Sequence, residues 1–600
     1  MFEIVEALRA ADYARAEVLC RARLRADPAS EDLLVLLALC LGYQGRSTDA
    51  LEVYRQLTEF HPQSSLHWGN LATALRQAGQ ADAAEAAALR GLQLAPSDPD
   101  LLDTLGMLEL HRRAYAQARD HLFQALSARR DSAEIAIHCA QACIACRDYR
   151  ADDLVRGWQR WLPLADGPQM DLAHTLFTLG DANGACGLLE ELTRRTPDHW
   201  PAQALLGSVY ERVNRLDDAR SQLEGLRERA PATDETLRLE LAHLEAKLVE
   251  RAGDLLDARR ILETCGPRND HDCDHYFVLA QVCDRQGDVD QARQAFVKAH
   301  VLQVEDLVLA TPHRFEADAP VFPAAVHKVT AEAYARWPRL PAPDAPVPPV
   351  FIVGFPRSGT TLLEQMLDAH AELQSMDERP FFNVLGDRLG DAGIRVPQDI
   401  EKLSARDCDE LRQAYAGLVA SKIDRQPGRR LVDKNPLNML WLPLIHRLFP
   451  QAHFILALRH PADVIMSNYR QNFRASVLAA ACRSPEVLAG AYVTAMDYWL
   501  HHVELFRPKV YVSRYESLVA DPGKQAREIA DFLGLRDSGP LLEFDRRAKE
   551  KGYIATPSYS QVIEPINDRS IGRWRQYRGL LESALPILQP MLDRWGYTLD

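Results

Sequence analysis

Apolar positions follow two different patterns in the two halves of the chain. Through the first half, apolar residues recur with the spacing of one helix face. In the second half, short runs of β-branched and aromatic residues alternate with helical patterns, and the strands predicted in this way are 349–353, 431–433, 453–458 and 509–514. The pattern predicts an all-α N-terminal region followed by an α/β domain with a parallel sheet.

A fixed period runs through the helical region. Pro28, Pro62 and Pro96 are 34 residues apart, and so are Pro197 and Pro231. Alanines lie 12 residues before each of these prolines, and one further alanine continues the series: Ala16, Ala50, Ala84, Ala118, Ala185 and Ala219. A small residue at this position lets the two helices of a pair approach closely. The period and the alanines resemble the tetratricopeptide repeat family.

This resemblance implies a tetratricopeptide superhelix over residues 1–311, with a last unit around Ala280 and Ala292. Residues 131–180 keep the helical periodicity but lose the signature, so the array is degenerate there. Stacked helix pairs leave a concave surface that suits peptides or partner proteins. An alanine-rich helical bundle is the alternative. Residues 312–348 are predicted to be a Pro-rich linker, because PRLPAPDAPVPP at 338–349 has no core-forming pattern.

Composition and charge narrow the classes of function. The 600 residues carry a net charge of −14, which disfavours a general nucleic-acid-binding surface. The first residues lack the basic and apolar segments of a signal peptide, and no apolar run approaches the ~20 residues of a spanning helix. We therefore expect a cytoplasmic protein with no membrane span and no nucleic acid as a partner.

Eleven cysteines raise the question of a metal site. Cys139, Cys143 and Cys146 are spaced to share one face of a helix, and a second group lies at residues 265–273. Neither group has the paired spacing of zinc ligands, and cysteine packs well in helical interiors. We expect no metal, and thiols that stay reduced in the cytosol.

The candidate chemistry of the second half begins with the loop GFPRSGTT at 354–361, between a predicted strand and a predicted helix. Its glycines let the backbone surround an anion, and the amides at the helix start point toward that anion. Thr360 replaces the lysine of the P-loop of nucleoside-triphosphate hydrolases, while Arg357 places a charged fork inside the loop. The loop therefore predicts a phosphate-bearing ligand other than a nucleoside triphosphate.

The residues PRSGTT resemble the loop of the sulfotransferases that use 3′-phosphoadenosine-5′-phosphosulfate (PAPS). Lys434, Arg459 and Tyr515 each follow a predicted strand, and the carboxyl ends of parallel strands meet at one crevice. The resemblance implies that PAPS is the sulfuryl donor, that no metal is needed, and that Arg459 and Ser467 bind the 3′-phosphate. The other donor-binding residues that it implies are Arg357, Ser358, Gly359, Thr360, Thr361 and Tyr515.

Two blocks are similar to the tyrosylprotein sulfotransferases within that family. An acidic pair, Asp377 and Glu378, follows MLDAH at the family spacing, and Ser558 opens the segment SYSQVIEPIN. The resemblance makes Glu378 the general base, and it makes Lys434 and Arg357 the groups that stabilise the leaving oxygen. It also places Ser558 at the bridging oxygen. We assign residues 349–600 to a sulfotransferase domain that acts on a protein or peptide tyrosine, with the repeats recruiting the acceptor or a partner.

The resemblance covers about residues 349–577 and leaves several questions open. Gln471 stands where the family has an arginine four residues after the 3′-phosphate serine, and Arg470 and Arg474 are candidates to replace it. A solvated loop acid is the ordinary alternative for Glu378, and a surface salt bridge is the ordinary alternative for Arg459. Sulfation of a glycan or lipid, an inactive repeat scaffold and a homodimer also stay open.

Overall fold

The computed structural model describes residues 1–231, 233–339, 348–376, 378–544 and 567–599. The chain forms two compact units. Unit 1 comprises Met1–Leu248 and Glu305–Pro312, and unit 2 comprises Val249–Val304 and His313–Asp600. The bounds of these units do not coincide with the predicted domain boundaries at residues 311 and 349. Those boundaries stay a prediction.

Unit 1 is built from helices that follow one another in pairs. Their bounds are Phe2–Arg9, Tyr13–Leu24, Glu31–Tyr43, Ser47–Phe60, Ser65–Gln77, Ala81–Leu94, Pro99–His111, Tyr115–Ala128, Ala133–Ala145, Ala151–Leu154, Asp166–Leu179, Ala182–Arg195, Trp200–Arg212, Leu216–Arg229 and Glu235–Ala252, the last of which continues into unit 2. The periodic alanines are all buried. At Gly106 a Cβ atom would lie 2.5 Å from Leu122 Cγ, so the two helices of this pair approach more closely than a side chain permits.

The periodic prolines lie just past the ends of helices. In four pairs the second helix ends two residues before the proline, as at Phe60 before Pro62 and at Arg195 before Pro197. The residue that precedes a proline is disfavoured in the α region, which ends the helix there. In the degenerate stretch, Ala133–Ala145 is followed by a helix of only four residues, Ala151–Leu154. The loss of signature therefore coincides with a shortened helix.

Unit 2 contains a five-stranded parallel sheet in the order β2-β3-β1-β4-β5. Its strands are β1 (Val350–Val353), β2 (Leu373–Met376), β3 (Arg430–Lys434), β4 (His453–Leu458) and β5 (Lys509–Arg514). The sequence pattern predicts four of them and misses β2. Because β1 lies between β3 and β4, the carboxyl ends of these three strands border one crevice, where doubly wound sheets bind their ligands.

Helices cover both faces of this sheet. Val350 and Ile352 of β1 belong to one apolar cluster, whereas Phe351 and Val353 belong to a second, larger one. The α-helices of unit 2 that begin after Ala252 are Leu255–Cys265, Cys273–Gln286, Val289–Ala310 (whose last residues, from Glu305, belong to unit 1), Ala331–Ala335, Thr360–Asp368, Phe381–Asp391, Ala405–Ala420, Leu442–Leu448, Pro461–Tyr469, Ser476–Ala481, Pro485–Phe506, Tyr515–Ala520, Pro522–Leu533, Arg578–Leu581 and Leu585–Trp595.

Two segments that precede the sheet in the chain pack into the larger apolar cluster. The first is the last repeat, residues 273–304, which contributes Phe277 and Phe296. The second is residues 313–339, which contributes Phe322 and Val329. The Val329 amide also donates to His502 Nε2 at 3.1 Å. The described part of the predicted linker thus packs in the core of unit 2 over residues 313–339, while residues 340–347 lie outside the described residues.

The cysteine group of the first half lies in a helical interior. Cys139, Cys143 and Cys146 are buried, and burial raises the pKa of the Cys146 thiol to about 11. In the described ranges, no group of three or more His, Cys, Asp and Glu side chains could hold a metal ion. No helix in the part of the chain that the structure describes combines the length and the apolarity needed to cross a bilayer.

Candidate active site

The phosphate loop, Gly354–Thr361, connects β1 to the helix Thr360–Asp368, which we call the loop helix. Gly354 and Gly359 have positive φ angles of 150° and 97°. A Cβ atom at Gly354 would lie 2.5 Å from the Ala457 carbonyl oxygen, and one at Gly359 would lie 2.8 Å from Tyr515 Cδ2. Only glycine allows the loop to lie this close to β4 and to Tyr515.

Arg357 adopts a left-handed conformation, with φ of 69°, in the middle of the phosphate loop. Such a conformation costs of order 1–3 kcal/mol for a residue with a side chain. Its Nε donates to Ser467 Oγ at 3.3 Å. Burial lowers the pKa of Arg357 to about 10, and the positive charge of Arg459 acts in the same direction. A partly buried cation that is repelled by a second cation is stabilised when an anion binds.

Arg459 follows β4 directly, and its side chain is buried. Nη1 donates to the Arg357 carbonyl oxygen at 3.3 Å, Nη2 donates to the Ser570 carbonyl oxygen, and the guanidinium lies 5.0 Å from the centre of the Tyr515 ring. Its buried Nε has no hydrogen-bond partner among the described residues. The charge of Arg459 is therefore held by neutral carbonyl groups and an aromatic face.

Three of the predicted donor-binding side chains therefore meet around the phosphate loop. Arg357 contacts Ser467 through its side chain and Arg459 through its carbonyl group. Ser467 lies on the helix Pro461–Tyr469, directly after β4. The loop residues Ser358, Thr360 and Thr361 are buried at the start of the loop helix. Together these residues bring two guanidinium groups close to the backbone amides at the start of the loop helix.

Lys434 ends β3 with its side chain completely buried between two carboxylates. Nζ donates to Glu378 Oε1 at 2.7 Å and lies 3.0 Å from Glu364 Oε2. Burial alone would lower the pKa of Lys434, but the charges of Glu364 and Glu378 raise it above its ordinary value. Asn435 donates to the Arg379 carbonyl oxygen at 2.9 Å, which holds the segment after β2 against the end of β3.

Glu364 is one side chain of this site that was not predicted from the sequence. It lies on the second turn of the loop helix, and its side chain is only 2% exposed. The signal that the sequence does contain is an acid between Leu363 and Met366, both of which are buried. A charged residue within an apolar run is a candidate for a buried ion pair.

The contacts of Asp433, the residue before Lys434, were also not predicted. Asp433 of β3 accepts hydrogen bonds from Tyr415 Oη at 2.7 Å and from Asn438 Nδ2 at 3.1 Å. Burial raises the pKa of the Asp433 carboxyl to about 7, although both hydrogen bonds act in the opposite direction. These contacts fix the backbone that carries Lys434.

Two of the predicted residues, Asp377 and Ser558, lie outside the described residues. The segment that resumes at residue 567 is bound to the helix Pro461–Tyr469. Asp463 accepts from the Gly572 amide at 2.7 Å and from the Trp574 amide at 3.0 Å. These bonds place Ser570 close enough for its carbonyl group to accept from Arg459.

Gln471 and its two candidate replacements lie just after the same helix. Arg470 forms an ion pair with Asp284 of the last repeat, and the Asp284 carboxylate also accepts from Arg573 and from Tyr577 Oη, the latter at 2.7 Å. The Asp284 side chain is completely buried. Arg474 is exposed. Whether either arginine replaces the family arginine stays a prediction, although Arg470 is already bound by a buried carboxylate.

The last repeat also holds the backbone that follows Ser467. His300 Nε2 lies 2.7 Å from the Tyr469 carbonyl oxygen, and Gln303 Nε2 donates to Asn472 Oδ1 at 2.6 Å. Together with the ion pair between Asp284 and Arg470, these contacts hold residues 469–472 through both backbone and side-chain atoms. The helix that carries Ser467 is therefore positioned in part by the repeat.

The parallel sheet, the phosphate loop after β1 and the crevice beside it define an α/β domain of the P-loop-like class. The model of the sulfotransferase family matches residues 348–539, and the model of the tetratricopeptide repeat matches residues 35–99 and 170–234. The C-terminal region is thus a sulfotransferase-family domain, and the N-terminal region contains tetratricopeptide repeats. Both predicted resemblances and the predicted fold class are confirmed.

Two relatives illustrate the range of the similarity. A protein of Aquifex aeolicus, named only as uncharacterized, is 31% identical over 325 residues, which cover 52% of this chain and 41% of that protein. Protein-tyrosine sulfotransferase 2 of Gallus gallus is 28% identical over 271 residues, which cover 42% of this chain and 70% of that protein. The chain therefore spans less than half of the length of the first of these relatives.

Among solved structures, the sulfotransferase domain of the Synechococcus PCC 7002 olefin synthase is 26% identical to the chain. The match covers 44% of this chain and 100% of that domain, with a TM-score of 0.30.

Proposed function

We propose that this protein transfers a sulfuryl group from PAPS to an acceptor hydroxyl, and that the acceptor is a protein or peptide tyrosine. The observation that carries the proposal is the position of Lys434. Its ammonium group lies between Glu364 and Glu378 at the carboxyl end of β3, next to the phosphate loop. A fixed cation beside a carboxylate is the pair of groups that sulfuryl transfer to a hydroxyl requires.

The donor site is supported by the chemistry of Arg459 and Arg357. Arg459 is buried, its Nε has no hydrogen-bond partner among the described residues, and both of its bonded partners are neutral carbonyl groups. A buried guanidinium without a carboxylate partner is costly unless an anion binds to it. We assign Arg459 and Ser467 to the 3′-phosphate, and the loop residues 357–361 and Tyr515 to the rest of the donor. When bound, PAPS supplies the sulfuryl group and leaves as 3′,5′-diphosphoadenosine.

The proton of the acceptor hydroxyl goes to the Glu378 carboxylate. The Glu378 side chain is 43% exposed, so an acceptor can approach it, while its other side is bound to Lys434. Lys434 and Arg357 remain cationic and stabilise the negative charge that grows on the leaving oxygen. When the base, the cation and the acceptor are held in one crevice, the reacting groups are already positioned and need not meet by diffusion.

The tyrosine acceptor is supported by the relatives and by the repeats. The Gallus gallus relative is named a protein-tyrosine sulfotransferase. Tetratricopeptide repeats stack into a superhelix with a concave surface, and such surfaces bind peptides and partner proteins. A repeat array in the same chain as a transferase domain fits a macromolecular acceptor better than a small one.

The test is transfer of label from PAPS that carries radioactive sulfur. The purified chain is incubated with a cell lysate, and the label is then located on protein, lipid and sugar, with tyrosine sulfate identified after alkaline hydrolysis of the protein. We expect label on tyrosine. Glu378→Gln should abolish this transfer and leave binding of 3′,5′-diphosphoadenosine close to that of the unchanged chain.

A matched control is Glu372→Gln. Glu372 precedes β2 and Glu378 follows it, and the two side chains are similarly exposed, at 38% and 43%. The control variant should keep its turnover. Label on lipid or sugar would contradict the tyrosine acceptor, and full turnover of Glu378→Gln would remove Glu378 as the base. Normal nucleotide binding without transfer to any pool would contradict the enzymatic function.

A further inference from the structure

We propose that Glu364 is a positioning residue that keeps Lys434 charged and in place while Glu378 takes up the proton of the acceptor. This inference rests on the proposed function. It concerns a buried side chain that lies opposite the expected base and that does not itself touch the acceptor.

Glu364 is bound on two sides by parts of the sheet. Its Oε2 lies 3.0 Å from Lys434 Nζ on β3, and its Oε1 accepts a hydrogen bond from Ser375 Oγ on β2 at 2.7 Å. Its backbone belongs to the loop helix, which begins at the phosphate loop. One carboxylate thus connects the phosphate loop, β2 and β3.

The two carboxylates that bind Lys434 differ in their access to solvent. Glu364 is 2% exposed, whereas Glu378 is 43% exposed. An acceptor can therefore approach Glu378 from solvent, whereas the Glu364 carboxylate is almost entirely closed to it. The structure therefore places one exposed and one buried carboxylate on the same ammonium group.

This separation matters at the moment of transfer. Once Glu378 is protonated, it no longer neutralises Lys434, and an ammonium group without a counter-charge is strongly disfavoured in a buried site. Glu364 still neutralises Lys434 at that moment. Lys434 can then direct its charge to the leaving oxygen without losing a proton or leaving its site.

The other charged groups around Lys434 are weaker candidates for this role. Asp433 is its neighbour on β3, but burial raises the pKa of that carboxyl to about 7, so it is only partly ionised at neutral pH. Arg357 faces Glu378 from the phosphate loop and adds a positive charge. Glu364 is thus the lasting negative charge beside Lys434 within the described residues.

The test is the pH dependence of kcat in Glu364→Gln, with the full chain and a tyrosine peptide as acceptor. In the variant the whole charge of Lys434 acts on Glu378, which makes Glu378 a weaker base. We expect kcat to fall about tenfold or more. We also expect the acidic limb, which is the rise of kcat on the acidic side of the pH profile, to move about 1 pH unit lower. The affinity for 3′,5′-diphosphoadenosine should stay within a factor of about three, because the 3′-phosphate residues are unchanged.

Asp368→Asn is the matched control. Asp368 is a buried acid on the same helix, and it accepts from the Ser375 amide at 2.9 Å. A general defect of the loop helix would appear in both variants, but only Glu364→Gln should move the acidic limb. If Glu364→Gln does not fold, Glu364→Asp, which withdraws the carboxylate by one methylene, should move the limb in the same direction by a smaller amount.

The outcomes separate the two proposals. An acidic limb at the position of the unchanged chain in both Glu364 variants, or an equal shift in Asp368→Asn, would overturn the role of Glu364. Absence of transfer by the unchanged chain would instead contradict the proposed function.

Discussion

Charged residues serve different purposes in the two units. In unit 1, ion pairs such as Arg46–Glu17, Arg129–Asp100 and Arg195–Asp166 join residues 29 positions apart, close to one repeat, and their arginines are more than a third exposed. In unit 2, the side chains of Lys434 and Asp284 are completely buried.

The exposed pairs repeat with the array and cost little to form or to break, because water screens them. The buried charges occur once each and are held by several partners. Removal of one partner leaves an uncompensated charge in the interior, and this is strongly destabilising. The difference teaches that periodic surface charges follow the repeat, while the completely buried Lys434 and Asp284 lie at the candidate site and at the segment that the last repeat holds.

The largest effect is expected from Asp284→Asn. Arg470 and Arg573 would lose their shared carboxylate, which should cost about 3–5 kcal/mol of stability. Hydrogen exchange with mass spectrometry at increasing urea concentrations measures the unfolding midpoint of unit 2 from the peptides that belong to it. Asp288→Asn changes an acid of the same repeat whose side chain is 36% exposed, and it should leave the midpoint nearly unchanged. Equal midpoints for the two variants would contradict the comparison.

A somewhat smaller effect, and one on turnover, is expected from Lys434→Ala. Loss of one group that stabilises transition-state charge lowers kcat by about 10²–10³, or roughly 2.7–4 kcal/mol. Transfer of labelled sulfur from PAPS measures this change, and the thermal midpoint reports whether the variant folds. Lys402→Ala, which removes a largely exposed lysine paired with Asp399, should keep its turnover. A folded Lys434→Ala with turnover near that of the unchanged chain would show that the buried cation is only structural.

Arg459→Ala should weaken binding of 3′,5′-diphosphoadenosine by ~1.5–3 kcal/mol, which is the contribution of a charged hydrogen bond. Isothermal titration calorimetry measures this affinity. Adenosine 5′-phosphate, which lacks the 3′-phosphate, serves as the control ligand and should bind both proteins about equally. An equal loss for both ligands would mean that the side chain acts on the fold and not on the 3′-phosphate.

The smallest effect is expected from Arg129→Ala in unit 1. Its two bonds to the Asp100 carboxylate are exposed, so their loss should cost less than about 1 kcal/mol. The urea midpoint of peptides from the helix Tyr115–Ala128 measures it. A cost comparable to that of Asp284→Asn would remove the distinction between the surface pairs and the buried charges.

Much of the fold is readable from local pattern. The alanine and proline period predicts helix pairs, because the spacing of small residues and the helix ends before prolines are local properties. The strands β1, β3, β4 and β5 are visible as apolar runs. β2 is missed, since Leu373–Met376 includes Gln374 and Ser375 and is only four residues long.

The candidate site is only partly readable in this way. Arg357, Lys434 and Arg459 follow strands, so their meeting at one edge of a parallel sheet could be expected. Glu364 is marked in the sequence only by its place within an apolar run of the loop helix, and Asp284 is not marked at all, so neither could be given a partner from the sequence. Their partners, Lys434 and Arg470, are 70 and 186 residues away in the chain.

The sequence by itself determined the repeat period, the strand–loop–helix unit at Gly354–Thr361 and the residue types available at the strand ends, since these depend on neighbouring residues. Only the tertiary structure decided that Lys434 lies between a buried and an exposed carboxylate, and that residues 273–304 and 313–339 pack in the core of unit 2. Burial depends on which surfaces meet, and the surfaces that meet here come from distant parts of the chain.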